Sequence, residues 1–170
     1  MREDEGEIEM AQHHMLPKLI GYNGIKGDLQ MHTKWSDGSN TTEEMGLAAK
    51  KLGYEYICIT DHVGRLAIAN ALDEKRLLDQ RKEIDNANKK LSGIRILQGV
   101  EVNITDNGSL DMPDKVLKEL DIVVASIHSG FKNPKEKITK RMLKAMENEN
   151  VDIIAHPTGR LITKRESYEI

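Results

Sequence analysis

Short apolar runs alternate with longer amphipathic segments through most of the 170-residue chain. Each run is aliphatic and bounded by polar or turn-forming residues, which is typical of buried strands. The runs cover residues 27–32, 54–62, 94–101, 121–128 and 151–156. Because strand and helix patterns alternate, we expect parallel strands joined by crossover helices, and therefore an α/β fold.

Four helices are predicted between these strands. Thr41 and Glu44 form a capping box that begins the first helix, and Gly53 ends it. The other three are predicted at about residues 73–91, from Pro113 onward, and at about residues 134–147. Their apolar faces consist of Leu77, Leu78, Ile84 and Ala87; Val116, Leu117 and Leu120; and Ile138, Met142, Leu143 and Met146.

Length and composition predict one domain preceded by a short segment. Residues 1–25 are predicted to be an N-terminal linker or leader, and residues 26–170 a domain large enough to bury its own core. The leading segment contains His13 and His14, which we interpret as incidental exposed histidines. Aromatic residues make up only 4% of the chain, so the core must be aliphatic.

Charge and cysteine content narrow the classes of function. The net charge of −3 provides no global basic field, so nucleic acid would have to be bound by local positive charge or by metal ions. The single cysteine, Cys58, is predicted to be a buried strand residue, and its solitary presence suits a reducing cytoplasm. No apolar stretch approaches the roughly 18 residues that span a bilayer, and the N-terminus lacks an apolar signal core. We therefore expect a soluble cytoplasmic protein without a membrane partner.

The fourth predicted helix is basic. It carries Lys135, Lys137, Lys140, Arg141 and Lys144. A solvated outer face is the expected role of these residues, and contact with a nucleic-acid phosphate backbone is the alternative.

Each of the five strand-like runs ends on a residue that can bind a metal ion. These residues are His32, His62, Glu101, His128 and His156. In a parallel α/β barrel the carboxyl ends of all strands meet on one face, so these side chains are expected to converge there. A mixture of imidazole and carboxylate ligands favours Zn²⁺ or Mn²⁺, with Fe as a further choice. A central glutamate can bridge two ions, and paired ions stabilise the attacking and leaving oxygens of phosphoester hydrolysis.

Several segments resemble the sequence motifs of PHP (polymerase and histidinol phosphatase) domains. In chain order they are residues 28–33 with 36–38, 59–62, 99–102, 125–128 and 155–157. Further segments are similar to the C-terminal PHP domain of bacterial and archaeal family X DNA polymerases, namely residues 68–73, 108–111 and 156–161. The combination of motifs makes the resemblance specific, and it extends over most of the predicted domain.

The resemblance implies a distorted (β/α)7 barrel that holds up to three metal ions. The ligands that it implies are His32, Asp37, His62, Glu101, His128 and His156. In the family's scheme one ion would be held by Glu101, His128 and His156, a second by His32 and Glu101, and a third by Asp37 and His62. The catalytic residues that it implies are Glu101, His128 and Arg160. Arg160 resembles a phosphate-binding cation of the family, with a plain surface arginine as the alternative.

Trp35 lies between the two halves of the first motif. Packing against the loop is the expected role of its indole, and stacking on a nucleobase is the alternative.

The chain departs from the family pattern in two respects. Gln30 occupies the position of the first motif's first histidine, and an amide oxygen is a weak ligand for Zn²⁺. The chain reaches Ile170 after about five βα units, so we expect an incomplete or open barrel without the family's late ligands. Only the ion at Glu101, His128 and His156 would keep its full ligand set, which predicts about one tightly bound metal ion. Unpaired strand edges in an open barrel would also favour self-association into a homo-oligomer.

Two functions follow from these observations. The first is a metal-dependent phosphoesterase acting on DNA 3′ ends, as an exonuclease or phosphatase, or on small phosphoesters. The alternative is a non-catalytic metal-binding or scaffolding fragment associated with a family X DNA polymerase. In either case the acidic chain is expected to bind nucleic acid only weakly by itself.

Overall fold

The computed structural model describes residues 6–21, 24–66 and 69–170. Parts of the predicted linker (residues 1–5 and 22–23) and Ile68, which belongs to one of the family-like segments, lie outside the described residues. The helices are α1 (Glu7–Gln12), α2 (Thr42–Lys51), α3 (Glu74–Lys90), α4 (Asp114–Leu117) and α5 (Lys135–Met146). The strands are β1 (Gly27–Asp28), β2 (Tyr56–Ile59), β3 (His62–Val63), β4 (Arg95–Asn103), β5 (Ile122–Ser126) and β6 (Ile153–Ile154).

All strand pairings in this sheet are parallel, as the alternating pattern predicts. The strands lie in the order β1-β2-β4-β5-β6, and β3 pairs with β4 beyond the end of β2. The predicted strand 54–62 is therefore two short strands that share one partner. β4 is the longest strand and lies at the centre of the sheet, and it continues two residues past Glu101 rather than ending there.

The helix ends follow the predicted capping chemistry. The Thr41 hydroxyl accepts a hydrogen bond from the Glu44 N–H (3.3 Å), and the Thr41 N–H donates to the Glu44 carboxylate (2.7 Å). Gly53 follows α2 with φ of +83°, a conformation that glycine adopts without a steric penalty. Asp73 caps α3 by accepting a hydrogen bond from the Arg76 N–H.

Two aliphatic clusters form the core and support the sheet from its helical side. The smaller one joins α2 and α3 to β2 and β4, and it includes Ala49, Ile57, Ile59, Ile84 and Ile96. The larger one joins β4 and β5 to α4 and α5. Cys58 is fully buried within β2, as predicted, and burial raises the pKa of its thiol to about 12. None of the helices in the described ranges is both long and apolar enough to cross a membrane.

Some predictions about helix faces are wrong. Leu78 of α3 is 66% exposed, and Leu143 and Met146 of α5 are also exposed. On α5 the contact with the sheet is made by Ile138, Met142 and Ala145, which recur at i, i+4 and i+7. The buried apolar stripe of α5 is narrower than the sequence pattern predicts, because one of the buried positions on this face is occupied by a polar residue.

That polar residue is Arg141, which we predicted on the solvated basic face of the fourth helix. It is instead 2% exposed, and its guanidinium donates hydrogen bonds to the carbonyl oxygens of Ile104, Thr105 and Ser129. A long amphipathic side chain can bury its stem on the core while its head pairs with loop carbonyls that helices and strands leave unpaired. Arg141 therefore fastens the loops that follow β4 and β5.

Candidate metal centre

The parallel sheet brings the predicted ligands to one edge. His62 of β3 is the register partner of Glu101 in β4, and Glu101 is in turn the partner of Val124 in β5. His128 follows the end of β5 by two residues, and His156 follows the end of β6 by two residues. Because all these strands run in the same direction, residues far apart in the sequence meet at their carboxyl ends.

Glu101 lies at the centre of this edge and is only 3% exposed. Its Oε1 is 3.0 Å from His128 Nε2 and 2.9 Å from His156 Nε2. Its Oε2 is 3.2 Å from His32 Nε2 and 3.8 Å from His62 Nδ1. The two carboxylate oxygens therefore serve two different pairs of histidines. We call the group Glu101, His128 and His156 the His128 half-site, and the group His32, Asp37, His62 and Glu101 the His32 half-site.

Asp37 completes the His32 half-site from the solvent side. Its Oδ1 is 3.6 Å from His32 Nδ1, and its Oδ2 is 3.7 Å from His62 Nε2. The side chain of Asp37 is half exposed, whereas those of both histidines are largely buried. Each histidine thus has one ring nitrogen toward Glu101 and the other toward Asp37.

The electrostatics of the centre favour an anionic carboxylate among imidazoles. Burial alone would raise the pKa of Glu101, but hydrogen bonds from His128, His156 and His32 outweigh it and hold that pKa well below its usual range. Burial also acts to lower the pKa of His32, yet its hydrogen bond and charge interaction with Glu101 leave that pKa raised. The pKa of His62 is lowered, chiefly by burial, which outweighs the opposing charge of Glu101. His62 is consequently held in the neutral form that binds metal ions.

The donor set fits a transition-metal ion in each half-site. In the triad His32, His62 and Glu101, and in the triad Glu101, His128 and His156, the ligand atoms lie within 4.8 Å of one another. The Nδ1 atoms of His32 and His62 are buried and have no hydrogen-bond partner among the described residues. A buried ring nitrogen without a partner is unfavourable, and a cation shared with the adjacent carboxylates would satisfy it. Imidazole and carboxylate together suit Zn²⁺, Mn²⁺ or Fe.

Gln30 makes the two half-sites unequal. Its Nε2 donates a hydrogen bond to Glu101 Oε2 (2.8 Å), and its Oε1 accepts one from the Thr60 hydroxyl (3.2 Å). The atom of Gln30 that faces the shared carboxylate is therefore an N–H donor, which cannot bind a cation. On the other side of Glu101, the donor beside His128 and His156 is the Ser126 hydroxyl, which donates a hydrogen bond to Oε1 (2.7 Å).

Two other predicted site residues lie away from the ligand cluster. Trp35 packs against the larger core cluster, and its indole N–H donates to the Glu83 carboxylate (3.0 Å), in keeping with the expected packing role. Arg160 is exposed in the loop that follows His156. No contact between its guanidinium and the ligand cluster is seen within the described part of the chain, so its role stays a prediction.

The sequence analysis missed two residues that support the ligands. Ser126 holds Glu101 Oε1, and Asp61 accepts hydrogen bonds from the loop between His32 and Asp37. The sequence contains a signal for each of these two residues. Ser126 precedes His128 by two positions on a strand, which places both on one face, and Asp61 is a carboxylate inside an otherwise apolar run.

Comparison with known proteins agrees with this geometry. Residues 28–165 match the family model of the PHP domain. The chain is 50% identical over 170 residues to the DNA polymerase/3'-5' exonuclease PolX of Bacillus subtilis (strain 168), and it spans 30% of that protein. It is 40% identical over 135 residues to a protein named "Probable phosphatase" of Thermoanaerobacter sp. (strain X514), which covers 76% of this chain and 53% of that protein.

A solved structure shows the shared fold. Histidinol phosphate phosphatase from Lactococcus lactis subsp. lactis Il1403, complexed with zinc, L-histidinol and phosphate, aligns with a TM-score of 0.55 and 18% identity. The alignment covers 79% of this chain and 58% of that one. It confirms the predicted open α/β barrel of parallel strands and helices. The chain thus spans between 30% and 58% of the length of these three relatives.

The identity with PolX also confirms the predicted similarity to the PHP domains of family X polymerases. The matched range 28–165 includes all six predicted metal ligands, from His32 to His156. The chain therefore belongs to the PHP domain family.

Proposed function

We propose that this chain is the metal-dependent phosphoesterase domain of a PHP protein, acting on DNA 3′ ends or on small phosphoesters. The observation that carries this proposal is the division of Glu101, whose Oε1 faces His128 and His156 while its Oε2 faces His32 and His62. One carboxylate shared by two sets of imidazoles is the arrangement of a bridged two-metal site. The names of the PolX and phosphatase relatives support the same class of reaction.

Each of the two half-sites has residues that could hold one metal ion. His128, His156 and Glu101 would hold one ion, and His32, His62, Asp37 and Glu101 would hold another. Zn²⁺ or Mn²⁺ bound there supplies Lewis-acid stabilisation of the charge that develops on a phosphoryl group. Glu101 stays ionised because its hydrogen-bond donors outweigh its burial, and Ser126 fixes the direction of Oε1. His156 is the most exposed of the four histidines at this edge, and Asp37 is similarly exposed in the other half-site, so a phosphoester could reach both half-sites from the solvent.

Arg160 is proposed to bind the substrate phosphate. It lies four residues after His156 on the same exposed loop, and a guanidinium can hold two phosphate oxygens in a bidentate fork. Such a contact would orient the phosphoester over the carboxyl ends of the strands.

One observation favours a second candidate function, that of a metal-binding scaffold without turnover. The Gln30 N–H occupies the side of Glu101 at which a histidine ligand would otherwise contribute. A domain with one well-held ion could keep its structural role in a family X polymerase while losing hydrolysis.

The deciding experiment compares turnover with metal binding. The purified chain is assayed with Mn²⁺ or Zn²⁺ on an aryl phosphate and on a 3′-labelled single-stranded oligonucleotide, beside Glu101→Gln and the exposed control Glu119→Gln. Glu101→Gln should reduce turnover on the order of 100-fold or more, because metal ions contribute several kcal/mol to the barrier. Glu119→Gln should match the wild type. Metal binding without hydrolysis of either substrate would instead establish the scaffold function.

A further inference from the structure

Asp61 is a buried carboxylate whose partners are all uncharged. It is fully buried, and its Oδ1 accepts hydrogen bonds from the Thr33 N–H (2.7 Å) and the Ser36 hydroxyl (2.5 Å). Its Oδ2 accepts from the Thr33 hydroxyl (2.6 Å) and from Gln80 Nε2 (2.7 Å). A buried carboxyl group is unfavourable unless hydrogen bonds satisfy its oxygens, and here four donors do so.

Three of the four donors come from one short stretch between two proposed metal ligands. Thr33 and Ser36 lie between His32 and Asp37, and the stretch closes on itself through hydrogen bonds from the Ser36 and Gly38 N–H groups to the Thr33 carbonyl. A Cβ on Gly38 would lie 2.4 Å from the His32 carbonyl oxygen, which shows how tightly the turn is wound. Asp61 thus holds the turn that separates His32 from Asp37.

The same carboxylate is covalently next to a third ligand. Asp61 immediately precedes His62, so the backbone that positions His62 also carries the acceptor for the His32–Asp37 turn. The Glu101 N–H donates to the Asp61 carbonyl (3.1 Å), which ties this position to β4 as well. One residue therefore connects all the members of the His32 half-site.

The fourth donor is held in a single orientation. Gln80 Oε1 accepts a hydrogen bond from Gln98 Nε2 (3.0 Å), and Gln98 Nε2 also donates to the Leu77 carbonyl (2.9 Å). Because Gln98 Nε2 can only donate, the Gln80 amide must present its oxygen to Gln98 and its NH₂ to Asp61. A fully satisfied buried network of this kind is rigid.

We propose that Asp61 is a positioning residue for the metal centre, which sets the metal affinity of the His32 half-site by holding the turn between His32 and Asp37. It acts through Thr33, Ser36 and Gln80 and does not itself contact the ion. The inference rests on the proposed metal binding, but it concerns only one of the two half-sites.

Three variants separate this role from a general effect on folding. Asp61→Asn keeps the shape but turns an NH₂ group toward the Gln80 NH₂ group. The double variant Asp61→Asn with Gln80→Glu restores an acceptor at that contact and keeps the net charge. Asp121→Asn is the control for general stability. Asp121 is an exposed carboxylate at the opposite end of the strands that accepts hydrogen bonds from Arg81 and from the Gln98 backbone N–H, not from the Gln98 side chain that orients Gln80.

The measurements are a calorimetric titration of metal-free protein with Mn²⁺ and the urea midpoint of the metal-free state. The wild type should bind one equivalent tightly and a second more weakly. Asp61→Asn should weaken the second equivalent about 10-fold or more, the scale reported for residues that orient metal ligands, and leave the first unchanged. The double variant should regain part of that affinity, and Asp121→Asn should lower the urea midpoint with both binding steps intact.

The other possible results of these measurements would contradict the inference. An unchanged second step in folded Asp61→Asn, or an equal loss of both steps in Asp61→Asn and Asp121→Asn, overturns the inference. A wild type that binds only one equivalent overturns the inference, and the turnover assay on the aryl phosphate and the oligonucleotide then decides whether the proposed function holds. A wild type that binds none defeats the proposed function itself. If Asp61→Asn does not fold, Ser36→Ala removes one of the four hydrogen bonds, and it must weaken the second step selectively for the inference to hold.

Discussion

At the scale of single residues, the centre depends on which atom faces Glu101. On the Oε1 side the neighbours are Ser126 and two histidines, and on the Oε2 side they are two histidines and the Gln30 N–H group. The Ser126 hydroxyl and the Gln30 amide both donate a hydrogen bond to the carboxylate, but only the amide belongs to the residue that stands in place of the first histidine of the family motif. One side chain therefore explains why the two half-sites should differ.

Changing Gln30→His should strengthen metal binding in the His32 half-site. An imidazole nitrogen would replace an N–H group that faces Glu101 Oε2 at 2.8 Å, so we expect the weaker binding step to tighten by at least about 10-fold. Mn²⁺-dependent turnover of an aryl phosphate should rise with it. Titration calorimetry and steady-state kinetics on the same preparation measure the two effects.

Gln30→Leu is the control for this change, because it removes the amide without adding a ligand. Equal tightening by the leucine and histidine variants would show that loss of the amide, not gain of the ligand, is responsible. If binding tightens in the histidine variant but turnover does not change, metal binding in the His32 half-site does not limit the reaction.

At the scale of elements, α5 is a structural helix with a buried cation. Ile138, Met142 and Ala145 face the core, and Arg141 reaches past them to the loops after β4 and β5. Gly130 lies where an added Cβ would come within 2.9 Å of Arg141 Nη1, so the loop after His128 is shaped around the guanidinium. Lys137 contacts the same region through Asp106 (2.9 Å). Much of the helix's positive charge is therefore engaged within the fold.

Replacing Arg141→Met should destabilise the protein by about 3 kcal/mol. Methionine keeps the volume of the arginine stem but leaves the carbonyls of Ile104, Thr105 and Ser129 without their donors. Each buried carbonyl that stays unpaired costs about 1–3 kcal/mol, and a carbonyl that gains a water partner costs less. Urea unfolding measures the change. Lys140→Met on the exposed face of the same helix is the control, and it should stay within about 0.5 kcal/mol of the wild type. Equal stability of the two variants would contradict the loop-fastening role.

At the scale of the whole molecule, the parallel sheet gathers ligands from five strands on one edge of an acidic protein. The net charge of −3 includes the ligand carboxylates, which bound cations would offset. The charge distribution therefore favours metal binding over nucleic-acid binding, and the difference between the half-sites governs how many ions are retained.

The purified chain should retain about one metal ion after dialysis. Of the two half-sites formed by the described residues, the His128 half-site has three protein ligands, the number found in open catalytic zinc sites, whereas the Gln30 N–H donates to the carboxylate oxygen of the His32 half-site. Elemental analysis after dialysis tests this number. Three retained equivalents, or none after reconstitution, would contradict it.

The chain alone should bind single-stranded DNA only weakly at physiological salt. Most affinity for nucleic acid comes from Lys and Arg contacts with phosphates, and Arg141, one of the five basic residues for which such contacts are the alternative role, is buried. Residual binding should depend on exposed Lys140 and Arg160, since Lys137 and Lys144 of the same helix are engaged with Asp106 and the Asn107 carbonyl. Fluorescence anisotropy at two salt concentrations, with Lys140→Gln and Arg160→Gln variants, measures it. Tight, salt-resistant binding would require a dedicated nucleic-acid surface.

Local patterns in the sequence were sufficient to predict the alternating α/β fold, the capping box at Thr41 and the positions of the proposed ligands. Each of these predictions depends only on residues that are close together in the sequence. Strands follow from runs of aliphatic residues, caps follow from a four-residue motif, and a ligand at the carboxyl end of a parallel strand is placed at the common edge by the direction of the strand. That is why His62 and Glu101 could be expected together although 38 residues separate them.

The tertiary structure alone decided how these residues act together. Whether Leu143 or Arg141 turns inward depends on which carbonyls and side chains meet α5, and those come from loops more than ten residues away in the sequence. The division of the Glu101 oxygens and the burial of Asp61 likewise arise from contacts between distant strands. Hydrophobic periodicity determines which elements form, because it is a local property. Pairing of polar groups in the interior is a property of the assembled fold, because each buried donor or acceptor must find its partner wherever the chain places one.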